Sequence, residues 1–147
     1  MKASELMTAQ PCCCSPDDSM QTVAQMMLDN DCGCVPVVQD MKVIGVVTDR
    51  DIAVRGVAGA MGADTGVRQI MSDSPHCCGE DDDIEDVERT MSEHQVRRVP
   101  IVNSEGMCVG IVAQADLARA ATSGSKVSDQ EVASTVGRIS QPDSAQS

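Results

Sequence analysis

Residues 7–38 recur later in the same chain, 64 positions on. Met7, Pro11, Cys13, Cys14, Asp17, Asp18, Val23, Met27, Val35, Pro36 and Val38 fall on Met71, Pro75, Cys77, Cys78, Asp81, Asp82, Val87, Met91, Val99, Pro100 and Val102. One extra residue in a turn (Glu105–Gly106 against Met41–Lys42) brings Gly45, Val47, Asp51 and Ala53 onto Gly110, Val112, Asp116 and Ala118. Eleven identities in 32 positions, made of strand-type apolar residues, prolines and acids in one order, indicate a duplicated structural unit. Two such units in one chain are expected to pack face to face about a pseudo-twofold axis, with a ligand cleft between them.

Each copy, at about 60 residues, is marginal alone, so the halves are expected to share one core. The chain has 147 residues and no Phe, Tyr or Trp, which leaves Val, Ile, Leu, Ala, Met and Cys to build that core. Without aromatic platforms, and with a net charge of −12, it is expected to have no nucleic-acid partner. No basic start precedes an apolar segment and no long apolar run occurs, so neither a secretion signal nor a membrane partner is expected. Eight cysteines in such a chain point to a reducing cytoplasm and free thiols.

Local pattern gives the same elements twice. Met20, Val23, Ala24, Met27 and Leu28 form a helical apolar stripe after the Ser15–Asp18 turn, and Ile84, Val87 and Met91 form another after Asp81–Asp83. Glu85 and Asp86 suit the positive start of the second helix. Val35–Val38 with Val43–Val47, and Val99–Val102 with Cys108–Val112, read as paired strands. Short helices follow over 49–55 and 114–121, and Pro11–Ser15 and Pro75–Gly79 read as one further strand each. The expectation is a mixed α+β fold of two β-α-β-β-α repeats. The first covers 1–58, a flexible Gly-rich joint 59–66, the second 67–121, and a polar, mostly disordered tail 122–147.

Val35–Val38 followed by Gly45-Val-Val-Thr-Asp-Arg-Asp-Ile52, and His94–Val102 followed by Gly110-Ile-Val-Ala-Gln-Ala-Asp-Leu117, resemble the tandem CBS-domain (Bateman module) proteins over about residues 1–121. The resemblance implies a stand-alone CBS pair, a homodimer, and adenine nucleotides (AMP, ADP or ATP) bound between repeats as regulatory ligands, with no required cofactor. Thr48 closes a strand and opens a helix, whose free N–H groups would offer an anion site; Asp51 could accept both hydroxyls of a ribose. Thr-x-x-Asp is equally a helix-capping pattern, and that reading stays open. Ala113 stands where Thr48 does while Asp116 is kept, so the two sites should be unequal. Carried over by position, the resemblance adds Ser72, His76, Cys77, Val96 and Arg97 to the Thr48/Asp51 site, and Thr8, Cys13, Cys32 and Gly33 to the Asp116 site. Arg97 and Arg98 are the phosphate ligands of choice, or else a solubilising residue and a surface ion pair.

The thiols read in two ways. Cys12–Cys14, Cys32, Cys34, Cys77, Cys78 and Cys108 are small hydrophobes for an aromatic-free core, or a redox or metal sensor, although no C-x-x-C pair occurs. An enzyme is not expected: the chain lacks a GxxxxGK[ST] loop, a GxGxxG turn and HExxH. The sequence therefore points to a cytoplasmic regulatory module that reports occupancy to a separate, unknown effector protein. The alternatives are another adenosyl ligand such as S-adenosylmethionine or NAD, a thiol-based sensor, or a structural dimerisation module with vestigial clefts.

Overall fold

The computed structural model of the protein describes residues 1–73 and 75–122, so the expected tail lies, from residue 123, outside the described residues. In chain order the elements are α1 (Ala3–Leu6), β1 (Thr8–Ala9), α2 (Met20–Asn30), β2 (Cys34–Gln39), β3 (Lys42–Thr48) and α3 (Asp49–Asp51). α3 runs on as a π-helix (Ile52–Val57), followed by a 3₁₀ turn (Val67–Gln69). Then come β4 (Cys78–Gly79), α4 (Ile84–His94), β5 (Arg98–Val102), β6 (Cys108–Ala113) and α5 (Gln114–Thr122).

The two long helices form where the apolar stripes lie and stop for a local reason. Ser19 caps α2 by accepting from the Thr22 N–H at 3.1 Å, and Asp83 precedes α4 in extended backbone. Both helices end on a left-handed residue, Asp31 (φ 49°) and Gln95 (φ 53°), which turns the chain into the next strand. Met20, Val23 and Met27, like Ile84, Val87 and Met91, are buried. The hairpin β2–β3 is antiparallel from Cys34↔Thr48 to Gln39↔Lys42. Its turn residues Asp40 and Met41 both take positive φ, the conformation that a two-residue hairpin turn demands.

The chain divides into two compact units, and these do not coincide with the sequence repeats. The first unit is Gln10–Pro75 with Gly106–Cys108; the second is Met1–Ala9, His76–Glu105 and, among the described residues, those from Val109 on. In the first unit, Ser72 from the start of the second repeat pairs antiparallel with Val46, exchanging hydrogen bonds of 3.1 and 3.0 Å. Val67 and Ile70, from the same stretch, are fully buried beside Val23, Val35, Val37 and Val47. In the second unit the roles are reversed: Thr8 and Ala9, from the start of the first repeat, pair with Ile111 and Gly110 of β6 in a four-stranded sheet ordered β1-β6-β5-β4. There Ala3 is fully buried and donates to Asp82 O at 2.8 Å, while Ile84 donates to Met1 O at 2.8 Å. Each leader thus completes the unit built mainly from the other repeat.

The repeated glycines mark where the leaders cross. A Cβ on Gly45 would stand 2.7 Å from the backbone oxygen of Ser72, and one on Gly110 would strike the Met7 side chain. Only a residue without a side chain lets the leader lie this close.

Several expectations change. The single shared core is replaced by two clusters of buried residues, one in each unit. The strands expected at Pro11–Ser15 and Pro75–Gly79 shrink to a bridge, Cys14 to Val37, and to the two residues of β4; each stretch opens on a proline, which has no N–H to give a ladder. The joint is tied down rather than loose: Met20 donates to Thr65 O at 2.9 Å, Gln21 to Ala63 O at 3.0 Å, and Met61 packs on the first cluster. Among the described residues no helix is long and apolar enough to cross a membrane.

Candidate functional site

In the first unit, β3 delivers Thr48 to the start of α3, and the two capping partners meet reciprocally. Thr48 Oγ1 accepts from the Asp51 N–H at 3.1 Å, and Asp51 Oδ2 accepts from the Thr48 N–H at 2.9 Å. The other N–H groups of the short helix are also taken. Asp49 donates to Gly33 O at 3.0 Å and Arg50 to Asp49 Oδ1 at 2.9 Å. The open anion site expected at this helix start is therefore not formed. What stays available is the second carboxylate oxygen, Asp51 Oδ1, with Arg55 Nε 3.9 Å away. Arg55 also donates to the Ile70 and Met71 carbonyls, both at 3.3 Å, tying this helix to the incoming leader.

The second unit repeats the frame without the hydroxyl. Asp116 Oδ2 accepts from the Ala113 N–H at 2.7 Å, and Gln114 donates to Arg97 O at 2.8 Å, as Asp49 does to Gly33 O. Asp116 is only 5% exposed, and its Oδ1 is gripped by Arg119. The arginines come from non-equivalent positions, four residues after Asp51 and three after Asp116. The two carboxylates are thus alike at one oxygen and different at the other.

Taken unit by unit, the first holds Thr48, Asp51, Cys13, Cys32, Gly33 and Ser72, and the second holds Thr8, His76, Cys77, Val96, Arg97, Arg98 and Asp116. Gly33 and Arg97 touch the starts of α3 and α5 through their carbonyls. Arg97 is exposed and Arg98 half-buried.

Sequence reasoning missed a contact in the second unit. The rings of His76 and His94 stack with centroids 3.5 Å apart and planes 7° from parallel. Burial first, and the charge of His94 second, pull the His76 pKa below its ordinary 6.5. The unfolded chain then binds this proton at higher pH than the folded chain does. This contribution to stability is complete above about pH 6.5 and declines as pH falls through the folded value. Urea midpoints should therefore drop between about pH 7.5 and about pH 5.5, and less so in His76→Gln. An equal drop in that variant would show that the pair is not responsible.

The cysteines also separate. Cys14, Cys34 and Cys78 are buried, and burial, followed by the negative charge of Asp18, pushes the Cys14 thiol up to about 12. These are core residues. Cys12, Cys13, Cys32, Cys77 and Cys108 are half-buried. Among the described residues no three His, Cys, Asp or Glu side chains gather as a metal site needs.

The CBS-domain family model matches residues 3–56 and 67–123. The CBS domain-containing protein YhcV of Bacillus subtilis is 38% identical over 114 residues, spanning 78% of this chain and 81% of its own. Hypoxic response protein 1 of Mycobacterium tuberculosis is 35% identical over 119 residues, 80% of this chain and 82% of that one. Among solved structures, Hypoxic Response Protein I with two coordinated zinc ions superposes with a TM-score of 0.74 at 31% identity, covering 81% of this chain and 98% of that one. The CBS domain protein PAE2072 from Pyrobaculum aerophilum, complexed with AMP, gives 0.77 at 25% identity, covering 91% and 99%.

Proposed function

We propose, from the premise that this chain belongs to the CBS-domain family, that it is a non-catalytic sensor of adenine nucleotides whose ligand is held by Asp51 and, more weakly, by Asp116. The observation that carries this reading is the carboxylate oxygen that the cap does not use at each helix start, Asp51 Oδ1 and, paired with Arg119, Asp116 Oδ1. One oxygen is fixed on a backbone N–H, at 2.9 Å for Asp51 and 2.7 Å for Asp116, so the other is held in one direction before any ligand arrives. Asp116 keeps its place, nearly buried, where Ala113 offers no hydroxyl in return. A ribose diol on Asp116 has to compete with Arg119, whereas Asp51 Oδ1 has its guanidinium no closer than 3.9 Å. Asp51 is therefore the tighter site. In the second unit the exposed Arg97, whose carbonyl accepts from Gln114 at the start of α5, supplies the charge suited to a phosphate on the Asp116 side. PAE2072, similar over most of this chain, supports AMP as the first ligand to try.

Occupancy acts on a separate effector protein only through a difference in ligand affinity between two states of the sensor. A homodimer belongs to this reading. The helix stripes of α2 and α4 are buried in the cores, so the apolar surface offered to a second copy is the exposed Val54 and Val57. Thermal unfolding with AMP, ADP and ATP tests the ligand. A nucleotide at about 100 times its dissociation constant should stabilise by roughly 2.7 kcal/mol. No shift with any of the three at millimolar concentration would sink the nucleotide reading, and a shift with S-adenosylmethionine alone would redirect it to another adenosyl ligand.

A further inference from the structure

Arg55 stands between the Asp51 carboxylate and the leader that enters from the second repeat. Its Nη1 donates to the carbonyl oxygens of Ile70 and Met71, both at 3.3 Å. Its Nε lies 3.9 Å from Asp51 Oδ1, outside hydrogen-bond distance. Two neutral acceptors thus hold a guanidinium whose carboxylate neighbour, only 14% exposed, is just beyond reach. The docked leader fixes those acceptors. Ser72 exchanges hydrogen bonds of 3.1 and 3.0 Å with Val46 on β3, and Ile70 is fully buried. Every one of these groups belongs to the first unit. In the second unit the arginine of the corresponding helix, Arg119, does close on its aspartate, Asp116.

We propose that the leader over residues 67–72 is a latch on the Asp51 site. Docked, its Ile70 and Met71 carbonyls keep Arg55 off the carboxylate; undocked, it frees Arg55 to pair with Asp51 Oδ1 and exclude a ribose. The latch takes the nucleotide reading of Asp51 as its premise and says what that site controls. A freed guanidinium turns to the carboxylate because a charge-assisted bond is roughly twice as strong as one to a neutral carbonyl. Ligand hydroxyls and Arg55 then claim the same oxygen. The coupling is reciprocal: the factor by which docking favours the ligand is the factor by which the ligand favours docking. For an ion pair this exposed to solvent that factor is about fivefold. Past Ser72 the chain runs on into the second unit, which resumes at His76. Docking of the leader is therefore how a ligand on Asp51 is felt beyond its own unit.

The test displaces the leader in the full-length protein without altering Arg55 or Asp51. Gly45→Ala does so, since its Cβ would stand 2.7 Å from the Ser72 carbonyl oxygen and 2.8 Å from the Met71 sulfur. Calorimetry should find AMP bound about fivefold more weakly by this variant, and wild-type affinity regained in Gly45→Ala/Arg55→Gln. A site that was merely damaged would not recover on losing a further contact. Hydrogen exchange reads the reciprocal effect. AMP should slow exchange of the Ser72 amide about fivefold in the wild-type chain and leave it unchanged in Arg55→Gln. If the wild-type chain binds AMP but the double variant shows no recovery, the latch is overturned and the nucleotide reading stands. If the wild-type chain binds no AMP, that reading falls, and a crystal structure of Gly45→Ala decides on the latch alone. Arg55 paired with Asp51 there supports it, and Arg55 anywhere else overturns it. Should Gly45→Ala not fold, Ser72→Pro, which removes the N–H given to Val46, replaces it in each measurement.

Discussion

Asp51→Ala weakens AMP binding by about tenfold to a hundredfold, the effect of losing a charge-assisted hydrogen bond worth roughly 1.5–3 kcal/mol. Calorimetry should show the main binding event removed, whereas Asp116→Ala removes only the weaker one. The capping role complicates the alanine variant, because Asp51 Oδ2 also holds the Thr48 N–H at 2.9 Å. Loss of that cap lowers stability by about 1 kcal/mol whether or not a ligand binds there. Asp51→Asn separates the two roles. Its amide oxygen can still accept from Thr48 while the charge offered to a ribose is gone. Stability near that of the wild-type chain with AMP affinity reduced by the same factor is the expected result. If Asp51→Asn binds AMP as the unaltered protein does, Asp51 is a cap and nothing more.

A fragment cut where the sequence repeats end should not fold, and one cut where the structural unit ends should. Residues 1–58 contain the whole first repeat but lack Val67 and Ile70, both fully buried, and Ser72, which pairs with Val46. Removing two large side chains from a small core costs about 2–5 kcal/mol each, comparable to the whole stability of a domain this size. Residues 10–75 hold every buried residue of the first cluster. That fragment should unfold cooperatively in urea, although its size leaves it marginal. Circular dichroism should show structure in the longer cut and a disordered chain in the 1–58 cut. Equal folding of both would mean that the leaders contribute little.

The contrast between these fragments shows what the sequence can carry. Helices α2 and α4 and the strands after them were legible because eleven-residue stripes and alternating apolar runs are long enough to have a period. The leaders were not: α1 has four residues and β1 two, too short for any period, and their partners lie in the other repeat. The identities of Met7 with Met71 and of Gly45 with Gly110 held a clue, since repeated glycines facing repeated methionines mark close crossings. The aspartates of the site were legible from the duplication. Their arginines were not, because Arg55 and Arg119 occupy different positions in the two copies and no repeat points to them. The helix start expected to bind an anion failed for a local reason: Gly33, Asp49 and Thr48 satisfy its N–H groups, and only coordinates reveal where a carbonyl such as that of Gly33 comes to rest.

The exchange of leaders also bears on the order in which a ribosome would see this protein assembled. Most of the first unit is available once Pro75 has left the exit tunnel. Thr8 and Ala9, although made earlier, have no strand to pair with until Gly110 and Ile111 follow. At roughly 5–20 residues per second, that leaves them waiting for about 5–20 s. Throughout that interval the cluster that Met1, Leu6 and Met7 pack against lacks Val112, Leu117 and Ala120. This leader is thus among the last parts to be placed, and a chaperone that holds emerging apolar segments would find it there.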